Sequence, residues 1–321
     1  MTPALHTPDD VDALVRELGL LDRTAANNLL SLRDRLLSLE KWALFVGAGV
    51  SKGVGLPTWN ELTQRLAKSF GVPCPAKPAD NAYPSILEEC MTRAPCPEAF
   101  WEAVAEEVCR GEPAEIHELL MRLPFEAFLT LNLDCILDRS HGELRDVSEP
   151  RVVSYPNLQA VDVGGRRLIH LHGRCGSNRA GRLDEQSTVL THTSYVRAYE
   201  LSTLPGVIEA TISAYCLLLV GTSLADWQVQ LLLNQVRNRE RLLAQVSGGY
   251  ARPISGFAFV ETDGTESAPA LQWTWPGKVL GIEPIFYLNE DGRHTALLNT
   301  VRWLFRNTAE ASIGRYEEID P

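Results

Sequence analysis

Two polar residues follow apolar runs of the sequence, at positions where a side chain could act on a ligand. Asn132 follows the run at residues 127–131, and His172 follows the run at residues 167–171. An amide can orient a hydroxyl group or a water, and an imidazole can accept the proton that is released. Taken singly, Asn132 is more typical of an Asx turn and His172 of a structural histidine. His170 shares the side-chain parity of His172, so a supporting role for it stays open.

A glycine-rich turn, GAGVSKGVGLP at residues 47–57, follows the apolar run at residues 42–46. Glycines allow backbone N–H groups to approach a pyrophosphate, and a following helix adds a favourable dipole. The turn is not a dehydrogenase fingerprint, because Lys52 replaces the third glycine and no acidic residue follows about 20 residues later. It is not a Walker A loop, because Lys52 precedes Gly53. The turn predicts a nucleotide site or, in the simpler interpretation, a structural turn.

The spacing of apolar residues predicts alternating strands and helices. Two amphipathic helices are expected within residues 1–40, a helical insertion at about 58–123, and a closing helix at 294–305. Short apolar runs predict buried strands at residues 42–46, 127–131, 167–171, 215–220, 256–260 and 279–287. The sequence therefore predicts a single α/β domain over residues 1–321. Its expected fold is a Rossmann-like doubly wound parallel sheet with a helical insertion and N-terminal helices.

Composition and charge argue against several classes of protein. The 41 acidic and 30 basic residues give a net charge of −11, which disfavours direct binding to nucleic acid. The longest apolar stretch, residues 214–220, is too short to span a membrane, and residues 1–10 lack the pattern of a secretion signal. We therefore expect a cytoplasmic location. The seven cysteines form no C-x-x-C pair, so we expect mostly reduced thiols, no disulfide framework and no zinc site.

Four segments, taken in order, carry a resemblance to a known family. They are GAGVS at residues 47–51, TLNLD at 130–134, LHG at 171–173 and GTSLAD at 221–226. Together with Gly55, Pro57 and Trp59, they resemble the motifs of sirtuin-like proteins, above all bacterial proteins with a SIR2-like domain. The resemblance covers roughly residues 42–235 and implies a Rossmann-like fold that binds NAD.

One departure indicates a particular branch of that family. Deacetylating sirtuins carry two C-x-x-C pairs after the H-G element, which form a zinc module, whereas only Cys175 and Cys216 follow it here. The resemblance is therefore to the zinc-free branch, and an acetyl-lysine peptide becomes a less favoured substrate. Members of that branch are commonly NAD-consuming effectors of antiviral defence in bacteria.

The resemblance also implies roles for individual residues. The implied catalytic pair is Asn132 and His172, and the implied NAD-contacting residues are Gly47, Ala48, Gly49, Ser51, Pro57, Trp59, Asp134, Gly221, Thr222 and Ser223. Alternatives stay open, because Asp134 can bond a ribose hydroxyl or hold its loop, and Ser51 can cap a helix. Asp226 is more typical of a helix N-cap, and His192 is a further candidate without an assigned role.

The resulting hypothesis is an NAD+ glycohydrolase that releases nicotinamide and ADP-ribose. The nicotinamide–ribose bond needs no general acid, because its leaving group is cationic and departs neutral, so the enzyme mainly stabilises an oxocarbenium-like state and positions water. The implied biological role is NAD depletion in defence, gated through a homo-oligomer or a separate sensor or ATPase partner. The alternatives are an NAD-dependent protein deacylase, an ADP-ribosyltransferase, and a non-catalytic module that binds NAD or ADP-ribose.

Overall fold

The computed structural model describes residues 8–141, 150–159, 165–176, 182–222, 227–246, 255–275, 277, 281–289 and 292–317. The first half comprises α1 (Pro8–Leu18), α2 (Arg23–Leu36), β1 (Trp42–Val46), α3 (Ala48–Lys52), α4 (Trp59–Ser69), α5 (Tyr83–Arg93), α6 (Pro97–Val108), α7 (Glu115–Arg122), β2 (Ala127–Thr130) and α8 (Ile136–His141). The second half comprises β3 (Arg151–Ser154), β4 (Arg167–His170), α9 (His192–Glu200), α10 (Leu204–Ala214), β5 (Cys216–Val220), α11 (Trp227–Val246), β6 (Gly256–Thr262), α12 (Ala268–Thr274), β7 (Ile282–Leu288) and α13 (Thr295–Glu317). None of the described helices is long and apolar enough to cross a bilayer.

The strands form one sheet in the order β3-β4-β2-β1-β5-β6-β7, and all their pairings are parallel. β1 lies at the centre, where Phe45 is in register with Leu129 of β2 and with Leu219 of β5. After β1, the chain forms β2, β3 and β4 on one side of β1 and then β5, β6 and β7 on the other side. The strand order therefore reverses beside β1. In such sheets, ligands bind where the order reverses, at the carboxyl ends of the strands. The predicted doubly wound parallel fold is confirmed.

Helices cover both faces of the sheet, which explains why its central strands are apolar without alternation. All residues of β1 and β5 are buried. On one face, Leu44 belongs to a core that includes residues of α1, α2, α7 and α13. On the other face, Phe45 belongs to a core that includes residues of α9, α10 and α11.

A separate helical layer is formed by α4, α5 and α6, and it confirms the predicted helical insertion. Its core contains Leu66 and Phe100, and Trp101 lies edge-on to Phe100 with 5.0 Å between ring centroids. This core includes Leu133, in the loop after β2. α7 falls within the predicted boundary of 58–123, but it packs on the sheet face against α13 instead. The layer therefore contacts the loop that carries Asn132.

Three features differ from the expectations drawn from the sequence. β3 is an additional edge strand, and its exposed residues Arg151 and Val152 give no apolar run to detect. α3 begins directly after β1, where a turn was expected. Cys109 and Cys175 form a disulfide with their Cα atoms 5.6 Å apart, so the expectation of reduced thiols is wrong for this pair. The two cysteines are 66 residues apart, and only the fold brings them together.

Candidate functional site

The loops that follow β1 and β5 are in direct contact where the strand order reverses. The N–H of Gly47 donates to the carbonyl of Val220 at 2.9 Å, and that of Gly49 donates to Gly221 O at 2.8 Å. A Cβ atom on Gly47 would lie 2.5 Å from Gly221 O. One on Gly221, whose φ is +66°, would lie 2.5 Å from Val50 N. Glycine is required here because the two backbones touch, and both amides are used inside the protein rather than for a ligand.

A chain of hydrogen bonds links Asn132, in the loop after β2, to α3. Asn132 Nδ2 lies 3.2 Å from Ser51 Oγ, which lies 3.0 Å from Asp134 Oδ2. Ser51 and Asp134 are both buried. The backbone N–H of Asn132 donates to Thr130 Oγ1 at 3.0 Å, and the Thr130 hydroxyl donates to the Val46 carbonyl of β1 at 2.9 Å. Asn132 is therefore fixed through both its backbone and its side chain.

The carboxylate of Asp134 sets the direction of these hydrogen bonds. Its Oδ1 accepts from the backbone N–H of Ile136 at 3.1 Å, and its Oδ2 accepts the hydroxyl proton of Ser51. Because that hydroxyl has one proton, Ser51 Oγ can only accept from Asn132, which must turn its amide nitrogen toward Ser51. Asn132 Oδ1 takes no hydrogen bond from any residue that the structure describes and stays available to a ligand. Burial raises the pKa of Asp134, and the hydrogen bonds from Ile136 and Ser51 partly oppose this rise.

Asn132 lines a cleft of about 830 Å³, a size typical of sites for small molecules and cofactors. The insertion forms one wall, where α4 begins at Trp59 because Thr58 and Glu61 form a capping box. The loops after β6 and β7 form the far end. The lining residues include Gly47, Ala48, Gly49, Gly221 and Thr222 on the floor, Trp59 and Tyr83 on the wall, and Glu261 and His294 at the far end.

His172 lies behind this cleft rather than in its wall. Its side chain is fully buried, and its Nε2 lies 2.8 Å from the hydroxyl of Tyr199. The ring of Tyr195 packs edge-on against His172, with 5.2 Å between ring centroids. Tyr195 lines the cleft whereas His172 does not. Tyr195 therefore contacts His172 and also lines the cleft that contains Asn132.

Residues 126–275 match the family of SIR2-like domains. This part of the chain is therefore similar to a SIR2-like domain. The matched segment includes Asn132, His172 and Gly221, whereas the glycine turn after β1 precedes it. No curated protein matches the chain in sequence.

Solved structures of Sir2 proteins are similar to this chain at low identity. A Sir2 homologue in complex with NAD shares 17% identity, with 88% of this chain and 94% of that chain covered and a TM-score of 0.44. A Sir2 complex with a p53 peptide and NAD+ shares 15% identity, with 87% of this chain and 97% of that chain covered and a TM-score of 0.37.

The cleft also contains an acidic residue that was not predicted from the sequence. Glu261, the next-to-last residue of β6, accepts a hydrogen bond from Asn289 Nδ2 at 2.6 Å and is half exposed at the far end of the cleft. His294 Nδ1 lies 3.9 Å from this carboxylate and 3.0 Å from the hydroxyl of Tyr287. The signal that could have revealed Glu261 is its position directly after the apolar run at residues 256–260.

The other residues singled out in the sequence do not all lie at the cleft. Pro57 is buried outside the lining of the cleft, and His192 is exposed at the start of α9. Ser223 and Asp226 lie outside the described residues. Lys52, for which the sequence predicts no role, is exposed and lines the cleft. Within the described ranges, no three His, Cys, Asp or Glu side chains form a group that could hold a metal ion.

Proposed function

We propose that this chain is an NAD+ glycohydrolase, with NAD+ bound in the cleft and Asn132 as its central catalytic residue. The observation that carries the proposal is the direction of the Asn132 amide. Asp134 and Ser51 hold its nitrogen, which leaves its carbonyl oxygen for a ribose hydroxyl or a water in the cleft. A polar group fixed before the substrate arrives loses little orientational freedom during the reaction.

The cleft supplies groups of suitable chemistry for each part of a dinucleotide. Its floor lies where the strand order reverses, which is where doubly wound folds bind pyrophosphate. Lys52 adds a cation, and Thr222 adds a hydroxyl group at the same place. Glu261, at the end of β6, can accept hydrogen bonds from the hydroxyls of the adenosine ribose. The nicotinamide ribose would then lie between Asn132 and Tyr195.

His172 is the proposed base, and it can act only if its imidazole becomes accessible from the cleft. Nicotinamide leaves as a neutral molecule, so a base is needed only to accept a proton from the attacking water or from a ribose hydroxyl. The imidazole now contacts Tyr199 and lies behind Tyr195. A rotation of the Tyr195 side chain on substrate binding would open a path from the cleft to His172.

The burial of His172 also favours a second candidate, a non-catalytic module that binds NAD or ADP-ribose. Such a module would use the same cleft without bringing His172 to the ligand. Both candidates predict that NAD+ binds in the cleft, but only the glycohydrolase predicts that NAD+ is cleaved.

The test is the product formed from NAD+ by the purified chain, separated by chromatography at several protein concentrations. We expect nicotinamide and ADP-ribose in equal amounts, and strongly reduced release from Asn132→Ala and His172→Ala. Asn28→Ala and His117→Ala are matched controls, because Asn28 contacts Pro284 and His117 caps α7, both outside the cleft. Saturable NAD+ binding without turnover would support the non-catalytic module. Modified or deacylated protein would support group transfer instead.

We further propose that the activity serves antiviral defence in a bacterial cytoplasm. This role rests on the resemblance to the zinc-free branch and on the harm that uncontrolled NAD loss would cause to the host. It predicts gating by a homo-oligomer or by a separate sensor or ATPase partner. Full activity of a purified monomer would contradict the gating.

A further inference from the structure

A second histidine, His170, lies directly behind Asn132 and has no role in the proposed reaction. It is the last residue of β4, and its side chain is fully buried. Its Nδ1 lies 3.3 Å from the main-chain carbonyl oxygen of Asn132, and its Nε2 lies 2.9 Å from Asp138 Oδ2 on α8. Arg174, in the loop after β4, donates to Asp138 Oδ1 at 2.8 Å. The His170 ring therefore connects Asn132 to an ion pair.

Both neighbours of the His170 ring are hydrogen-bond acceptors. A carbonyl oxygen and a carboxylate oxygen have no proton to donate, so each bonds a ring nitrogen only when that nitrogen carries a proton. A neutral imidazole has one N–H and would present a lone pair to one of these two oxygens. An imidazolium has two N–H groups and satisfies both. The geometry therefore favours a ring that is protonated on both nitrogens.

The titratable groups around His170 can compensate the positive charge of such a ring. α8 contributes Asp138, the loop after β4 contributes Arg174, and the loop after β2 contributes Asp134 and Cys135. Burial would raise the pKa of Asp138, but the hydrogen bond and charge of His170 and the charge of Arg174 hold it below its usual value. Burial raises the pKa of Cys135 to about 11, so its thiol stays neutral at physiological pH. Asp138 thus contacts the His170 ring through one carboxylate oxygen and Arg174 through the other.

We propose that His170 is a positioning residue for Asn132, and that Asp138 keeps its ring doubly protonated for this task. Nδ1–H of the ring donates to the Asn132 carbonyl and completes the restraints that Thr130 and Ser51 place on the same residue. As far as catalysis is concerned, this inference rests on the proposed NAD+ glycohydrolase function. The hydrogen-bond arrangement itself can be tested without turnover.

The first test is nitrogen NMR of the full chain labelled at histidine and asparagine. The His170 ring signals are assigned by their loss in His170→Gln, and the Asn132 side-chain amide signals by their loss in Asn132→Ala. We expect protons on both His170 ring nitrogens at neutral pH. In Asp138→Asn, we expect one of these protons to be lost and the Asn132 amide signals to shift.

The second test is the steady-state rate of nicotinamide release. Small errors in the position of a catalytic group cost up to about 100-fold, so Asp138→Asn should lower kcat roughly 10- to 100-fold with KM changed less than about twofold. His117→Gln is the matched control for the change at a buried histidine, because His117 is also fully buried and bonds only within the start of α7. It should leave kcat and KM unchanged.

Two results would overturn the proposal. One is a wild-type His170 ring with a single N–H. The other is a folded Asp138→Asn protein whose Asn132 amide signals do not move. If Asp138→Asn does not fold, Arg174→Gln at a partly exposed position weakens the same carboxylate pair and must move those signals. Absence of nicotinamide release from the wild type would refute the proposed function, while the NMR signals would still decide the role of His170.

Discussion

Replacing Asp134 with asparagine should reverse the hydrogen bonds that orient Asn132. The new carboxamide has one acceptor and one donor group. The acceptor is needed by the N–H of Ile136, so the amide nitrogen would face Ser51 and donate to its oxygen. The hydroxyl of Ser51 is then free to donate to Asn132, whose amide would turn over. An N–H group would replace the carbonyl oxygen in the cleft.

The expected magnitude follows from the single hydrogen bond that is lost. A substrate group left against the wrong partner costs about 1 to 3 kcal/mol. Since about 1.4 kcal/mol corresponds to a factor of ten in rate, kcat/KM for NAD+ should fall roughly 5- to 150-fold. The fold itself should not suffer, because burial makes the charged form of Asp134 unfavourable.

The effect on stability has a defined sign. The folded pKa of Asp134 is raised above the ordinary value of 3.8. Its contribution to stability is therefore complete below pH 3.8 and is lost as the pH rises through the folded pKa. At neutral pH, Asp134→Asn should have a free energy of unfolding equal to or above that of the wild type.

The assay combines nicotinamide release over a range of NAD+ concentrations with urea unfolding at neutral and acidic pH. Asp22→Asn is the control, because Asp22 caps α2 through the N–H of Ala25, and asparagine is an equally good N-cap. A folded Asp134→Asn protein with kcat/KM within about twofold of the wild type would refute the reasoning, since it predicts at least roughly fivefold. Loss of folding of Asp134→Asn at neutral pH would contradict the prediction that its free energy of unfolding equals or exceeds that of the wild type.

Three further predictions concern the cleft and the fold. Gly221→Ala should lower the free energy of unfolding by more than the roughly 1–2 kcal/mol that a left-handed backbone costs, because its Cβ would lie 2.5 Å from Val50 N. Gly176→Ala is the control for urea unfolding, because Gly176 has a φ of +74° and open space around it, so that its substitution should cost only the left-handed backbone. Reduction of the Cys109–Cys175 disulfide, whose cysteines are 66 residues apart in sequence, should lower the free energy of unfolding by up to about 4 kcal/mol. Urea unfolding with and without dithiothreitol measures this loss, and an unchanged midpoint would contradict a stabilising disulfide. Glu261→Gln should reduce the preference for NAD+ over NADP+ about tenfold, because a carboxylate repels a 2′-phosphate. If the ratio of kcat/KM for NAD+ to kcat/KM for NADP+ does not change, Glu261 does not contact the adenosine ribose.

The sheet and the position of Asn132 could be predicted from the sequence because short apolar runs end directly at polar residues. Because parallel strands place their carboxyl ends at one edge of the sheet, the sequence predicts that the glycine turn and Asn132 lie close together. β3 escaped prediction because two of its residues are exposed and its apolar content is low. Its pairing with β4 depends on the neighbouring strand rather than on its own pattern.

The burial of His172 could not be predicted from its neighbours in sequence. Tyr195 and Tyr199, which enclose it, lie on α9, and helical spacing stacks their rings at 5.7 Å between centroids. Only the packing of α9 against the end of β4 brings these rings onto His172. The pairing of His170 with Asp138 has the same origin, because the partner is on α8.

The most direct test of the central claim is nicotinamide release from NAD+ by the wild type, Asn132→Asp and Asn28→Asp in parallel. Asn132→Asp keeps the size of the side chain but places a carboxylate oxygen against Ser51, whose proton is already donated to Asp134. We predict release by the wild type and by Asn28→Asp and a loss of at least roughly 100-fold in Asn132→Asp. Equal release from all three proteins would contradict the assignment of catalysis to Asn132.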